Sequence, residues 1–167
     1  MTDNKLLRIY LNDHLAGSVA GHELAKRTQS NNVGTPLGEY LIEFIQELEE
    51  EQTVVENLLD SFEATPDRIK QLAAWIAEKA GRLKLNGQIT GYSDLSRLLE
   101  IEGLCLGVEG KLSLWRSLKQ VEGHHSALAV TDLDTLIARG EEQRNRFEEF
   151  RLGAAAVAFG SGAATST

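Results

Sequence analysis

Leu37, Leu41, Phe44, Leu48, Glu51, Val55, Leu58 and Phe62 recur at alternating steps of four and three, the spacing of one stripe along a helix. A strand would place successive residues on opposite faces every two positions, so this pattern is helical over its whole length. An apolar stripe that long needs partner helices to cover it. The rest of the chain permits them, because only two prolines occur. Each follows a threonine, as Thr35-Pro36 and Thr65-Pro66. In that pairing the hydroxyl caps a helix and proline fills its first turn.

The remaining punctuation divides the chain. A first helix is predicted from about Asn4 to Gln29, ending in the polar turn Ser30-Asn31-Asn32-Val33-Gly34. The second runs from Pro36 to about Ala64. A shorter third runs from Pro66 to about Leu83, with Ile69, Leu72, Ala73 and Ile76 at helical spacing. Between Lys84 and Tyr92, Asn86-Gly87 sits among alternating apolar residues, which is a hairpin signal. A lone hairpin is marginal in water, so an extended crossover is the preferred reading. Ser93 caps a fourth helix reaching about Val121, Glu122-Gly123-His124-His125 breaks it, and Thr131 caps a fifth from Asp132 to about Phe159. The small, polar residues 160–167 are expected to be disordered.

Four of these helices are close to 28 residues, about 40 Å each at 1.5 Å per residue. The expectation is one all-α domain over residues 1–159. It is a four-helix bundle in which the short third helix rides on a long crossover. Five helices as full members is the alternative.

Glu51 interrupts the second helix's apolar stripe at its middle. Its neighbours Glu49 and Glu50, with Glu43 and Glu47, fit an outer face, but solvating Glu51 would solvate Leu48 and Val55 too. The fourth helix reads in the same way through Leu95, Leu98, Glu102, Cys105, Glu109, Leu112 and Arg116, with Glu102 and Glu109 two turns apart. On the first helix Tyr10, Asp13, His14, Gly17, Gly21 and Leu24 share a stripe, so Asp13 or His14 faces inward. The fifth offers Leu136, Gly140, Gln143, Phe147, Phe150, Ala154 and Val157, with Arg144 beside Gln143. A buried charge without a partner costs several kcal/mol, so the inward carboxylates need counter-ions or protons. Gly17 and Gly21, facing Gly103, Gly107 and Gly110, suggest close packing of the first and fourth helices.

Composition narrows the function classes. With 17 Lys+Arg against 25 Asp+Glu, the chain carries a net charge of -8, which argues against the basic footprint of a nucleic-acid binder. No apolar run reaches the roughly 18 residues of a membrane span, and a signal-peptide pattern is lacking. Cys105 is the single cysteine; it cannot form an internal disulfide, fits a reducing cytoplasm, and reads as a small core residue. His124-His125 reads as a solvated loop pair. Lys79, Arg82 and Lys84 near Trp75 read as a solvated face with one packed indole. No glycine-rich phosphate loop follows a strand.

Long helices in a two, crossover, two order with inward carboxylates resemble the ferritin-like superfamily. Tyr10-Leu11-Asn12-Asp13 is similar to the Tyr-x-x-Glu-like signature on the first helix of a bacterial stress-associated group, with Asp13 as the carboxylate. The resemblance covers Asn4 to Phe159. It implies a di-metal site with a carboxylate from each of two helices and Glu-x-x-His from each of the other two. Glu51 takes the second helix's glutamate position, but Val54 stands three residues on. Glu102 or Glu109 takes the third. On the last helix Glu142 is followed by Asn145, and Glu141 by Arg144. All four histidines, His14, His22, His124 and His125, lie elsewhere. Both Glu-x-x-His motifs are missing.

The resemblance therefore implies a degenerate site. In it Glu51, Glu102 and Glu109 form a buried polar cluster with Arg144, Arg116, Gln143 or His14, and Arg144 replaces a cation where a metal sat. The function expected is a non-catalytic binding or assembly role without a cofactor. The alternative is a carboxylate-bridged iron or manganese protein with redox or stress-related activity, ligated by Glu51, Glu102, Glu109 and Asp13 or His14. A helical scaffold that pairs with a second copy or another protein is a third reading.

Overall fold

The computed structural model describes residues 4–62 and 91–160. Helix α1 spans Lys5–Asn31, α2 Pro36–Ser61, α3 Asp94–Gln120, α4 Ser126–Ala129 and α5 Leu133–Gly160. The described residues contain no strand. The expected third helix over 66–83, the hairpin or crossover at 84–90 and the tail at 161–167 lie outside the described residues.

The predicted caps form where hydroxyls precede helices. Thr35 Oγ1 accepts from the Gly38 amide at 3.2 Å, with Pro36 opening the first turn. Ser93 Oγ accepts from the Ser96 amide at 3.1 Å. At α5 the expectation fails by one residue. Asp132 Oδ1 accepts from the Thr135 amide at 3.0 Å, whereas the Thr131 hydroxyl turns back to the Ala127 carbonyl at 2.9 Å. That difference follows from α4, a single turn the sequence does not announce, which leaves Thr131 at its end.

The α1–α2 connection depends on two glycines. Gly34 adopts a φ of +76°, the left-handed region that suits glycine. Gly38 packs its backbone against the end of α1, where an added Cβ would fall on the Asn32 carbonyl group, 2.7 Å from its carbon. Alanine normally favours a helix over glycine by up to about 1 kcal/mol. Here the sign reverses: Gly38→Ala is expected to cost about 1–3 kcal/mol, read as a lower urea midpoint. An unchanged or raised midpoint would show that the turn and α2 are not in contact.

Side-chain pairs set the directions. Arg27 reaches Glu100 at 2.7 Å and Tyr10 reaches Ser117 at 3.2 Å, so α3 runs antiparallel to α1. His22–Glu49 at 2.8 Å and Gln52–Ser18 at 3.2 Å make α2 antiparallel to α1. Arg116–Glu141 and Lys119–Asp134, each at 2.9 Å, make α5 antiparallel to α3. The most extensive helix contacts are α3 with α5, then α1 with α2, then α1 with α3. Helices α2 and α5 meet through long side chains, chiefly Phe44 on Phe147 with ring centroids 4.8 Å apart. In chain order the long helices run up, down, down and up.

The core falls into two halves. Leu11, Leu58, Leu59, Trp115, Leu118 and Leu133 anchor one, and Leu41, Phe44, Ile101, Val108, Leu112 and Phe147 the other. Every position of the α2 stripe is buried as predicted, Glu51 included. On α5, Leu136, Gly140, Gln143, Phe147 and Ala154 are buried as predicted, while Val157 is exposed.

Two stripes need correction. On α3 the buried seam is Leu98, Ile101, Leu104, Val108 and Leu112, one position off the Glu102–Glu109 alternation. The helix carries apolar residues on most sides, and Leu95, Leu99 and Leu106 are exposed, so leucine positions alone do not select the inner face. On α1 the buried residues are Leu11, Leu15, Ala25 and Thr28; Asp13 is exposed and His14 half-buried.

Candidate functional site

Where the two core halves meet, the interior turns polar. Glu51 is 1% exposed and Lys111 of α3 10%, and the Lys111 Nζ lies 2.7 Å from Glu51 Oε2. Lys111 also donates to Gln143 Oε1, and Gln143 Nε2 donates to Glu47 Oε2 at 2.6 Å. Arg139 closes the network from α5. It stands 3.9 Å from Glu51 Oε1, 3.8 Å from Glu47 and 3.0 Å from the exposed Glu50. Three helices thus contribute to one polar cluster in which two cations, Lys111 and Arg139, face three carboxylates.

Burial dominates the protonation of the central pair. It pushes the Glu51 carboxyl above the ordinary carboxylate range, opposed by the Lys111 ammonium and then Arg139. It pulls Lys111 below the ordinary lysine range, opposed by Glu51. Each partner therefore depends on the other to stay ionised away from water.

The other expected members do not join. Glu109 is exposed and faces Arg116 at 3.7 Å and Arg144 at 4.0 Å. Glu102 is partly exposed, 3.9 Å from Arg151. Both sit outside because the α3 seam is shifted, and they carry Arg116 and Arg144 to the surface with them. The cation that meets Glu51 is Lys111, not Arg144. Gln143 is in the cluster as expected. His14 stacks edge-on against Tyr10, centroids 4.5 Å apart, and burial lowers its pKa. Cys105 is half-buried with its thiol pKa raised by burial, the opposite of an activated nucleophile. His125 packs on Phe62.

A di-metal centre needs several converging carboxylates or imidazoles. Among the described residues no three His, Cys, Asp or Glu side chains are grouped to hold a metal ion. Around Glu51 the ligand position is taken by an ammonium. Glu51, Glu102, Glu109, Asp13 and His14 do not fit iron or manganese in this arrangement.

The same pair lines a cavity of about 380 Å³ between α1, α2 and α3. Its walls are Phe44, Leu48, Leu104 and Trp115, with Tyr10 and His14 on the α1 side. Gly17, Gly21, Gly107 and Gly110 line it as well, and this corrects the expectation of tight helix packing. A Cβ built on any of the four would have nothing within 4 Å. Of the five glycines expected to bring these two helices together, only Gly103 serves close approach, where a Cβ would lie 2.8 Å from Leu24 Cδ2. Gly17 and Gly107 are exposed and mark where the cavity opens. On the far side of Glu51 a second hollow of about 460 Å³ runs between α2 and α5 past Val54, Asn57, Thr131 and Arg139.

Sequence reasoning also missed a cluster at the α1–α2 turn. Glu100, buried, accepts from Arg27 at 2.7 Å and from Tyr92 at 3.0 Å. Asn32 joins it, donating to Tyr92 at 2.8 Å and accepting from Arg97 at 2.9 Å. All these groups are partnered, so the cluster ties α1 to the start of α3 and leaves no open chemistry.

Among the described residues no helix is long and apolar enough to cross a membrane. Comparison with protein-family models, with curated proteins and with solved structures returned no match to this chain.

Proposed function

We propose that the chain is a non-catalytic binding protein of ferritin-like arrangement, in which a Lys111–Glu51 pair replaces metal chemistry and the cavity beside it receives a small molecule. Two placements support the architecture. The long helices run up, down, down and up, and Phe62 beside His125 stands at the opposite end from Tyr92 beside Asn32. A crossover between two antiparallel pairs requires that placement.

The observation that carries the binding role is the set of four glycines facing open space. Each weakens its helix by up to about 1 kcal/mol relative to alanine, yet none is needed for a helix contact. What they secure is volume. A dry cavity of about 150 Å³ already admits benzene, so this one is ample for a ligand of ten or more heavy atoms.

The test uses the full chain and the apolar fluorophore 1-N-phenylnaphthylamine. Wild type is expected to enhance its emission with saturation at one equivalent. Gly17→Leu/Gly107→Leu is expected to weaken binding at least tenfold with no fall in Tm, since both changes favour the helix. Equal binding by both proteins, or by neither, would overturn the reading.

A further inference from the structure

Resting on the cavity reading above, we infer that the ligand is an uncharged molecule with an apolar body and a hydroxyl group, and that His14 recognises the hydroxyl. The polar side chains around the cavity between α1, α2 and α3 lead there by elimination.

Most of them have nothing to offer a guest. The Glu51 oxygens and the Trp115 indole nitrogen lack hydrogen-bond partners, but each is closed off even with the cavity empty. Lys111 is held by Glu51 at 2.7 Å and by Gln143. Ser18 donates to the Leu15 carbonyl at 2.7 Å and accepts from Gln52 at 3.2 Å. Tyr10 gives its proton to Ser117 at 3.2 Å. Asp13 is exposed, where water screens what it offers a cation.

His14 is the exception. It lines the cavity one turn before Gly17, where the space opens. Its ring meets the Tyr10 ring edge-on, centroids 4.5 Å apart. Among the described residues its nitrogens have no hydrogen-bond or ion-pair partner. The side chain is half-buried, yet neither nitrogen is closed off as the Trp115 nitrogen is.

The protonation state selects the guest. Burial disfavours the His14 imidazolium and outweighs the adjacent Asp13 carboxylate, which favours it. A neutral imidazole presents one N–H donor and one bare accepting nitrogen. A hydroxyl can give its proton to the bare nitrogen or accept from the N–H, so it suits whichever is presented. A carboxylate finds no cation at His14, and the Asp13 charge beside it is repulsive. An ammonium would leave water for walls of Phe44, Leu48, Leu104 and Val108, a costly exchange without a buried counter-charge.

Competition against bound 1-N-phenylnaphthylamine at neutral pH tests the inference with compounds of one shape: 4-propylphenol, its methyl ether 4-propylanisole, n-propylbenzene, 4-propylbenzoate and 4-propylbenzylammonium. In wild type the phenol is expected to bind at least about fivefold more tightly than the ether, which has no proton to give. It is expected to exceed the benzoate and the benzylammonium by about tenfold or more. His14→Phe keeps an aromatic edge against Tyr10 and removes both nitrogens. It is expected to weaken the phenol about fivefold to tenfold and to change n-propylbenzene less than twofold. If that variant does not fold, the wild-type ranking decides alone. Equal affinity for phenol and ether would overturn the inference, as would equal losses for phenol and propylbenzene in His14→Phe. A benzylammonium that binds as tightly as the phenol would also overturn it, with Asp13 as the recognising group. Those failures leave fluorophore binding intact, whereas failure of the cavity reading removes it.

Discussion

Lys111→Ala is expected to lower the melting temperature by about 6–20 °C, because it strands the Glu51 carboxylate. Removing one partner of a buried ion pair costs about 3–5 kcal/mol, and at this chain length each kcal/mol moves Tm by about 2–4 °C. Glu51 is 1% exposed, and Arg139, 3.9 Å away, is shared with Glu47 and Glu50. The double variant Glu51→Leu/Lys111→Met is expected to recover most of the loss, since an apolar pair needs no counter-charge. Thermal melts of the three proteins check this. A Lys111→Ala loss below about 0.5 kcal/mol, the range of ordinary surface changes, would place the pair in solvent.

The same variant carries a pH signature. Burial holds the folded-state pKa of Glu51 above its unfolded value, and without Lys111 it rises further. A carboxyl whose folded pKa is raised binds its proton more tightly in the native state. Its penalty is therefore absent below the unfolded value of about 4.3. It grows as pH rises through the window up to the folded value, and is complete above that window. The Tm deficit of Lys111→Ala relative to wild type is expected to be smaller at pH 5 than at pH 8. A deficit independent of pH would mean that lost packing, not charge, is responsible.

Phe147→Ala is the second large effect. Phe147 is fully buried, with Phe44 at 4.8 Å and Tyr40 at 5.3 Å, both edge-on. It is the centre of the α2–α5 contact, which rests on side chains rather than on close backbones. Truncation is expected to cost about 3–5 kcal/mol, measured by urea denaturation. A cost under about 1 kcal/mol would indicate that α2 and α5 close over the gap.

Helix α2 was legible because one unbroken stripe of its apolar positions, Leu37 to Phe62, is interrupted only by Glu51, which stood out against Leu48 and Val55. On α3 the signal was ambiguous. Leu95 is exposed, and counting it moved the inner face by one residue and drew Glu102 and Glu109 into it. Lys111 gave no sign, since a lysine one position before Leu112 reads as a surface residue until α2 supplies its partner. The glycines were noticed and misjudged. Their spacing shows that side chains are kept away from a face, but a packed helix and an open cavity produce the same spacing.

Helices α1 and α3 are joined near both ends and parted between. Tyr10 holds Ser117 at one end; Leu24 over Gly103 and Arg27 on Glu100 hold the other. The opening along Gly17 and Gly107 is therefore a framed window rather than a hinged door. On the proposed binding role, a guest too broad for a frame set by these two lashings would be refused. Loosening either lashing, even one far from the guest, would trade that selectivity for reach.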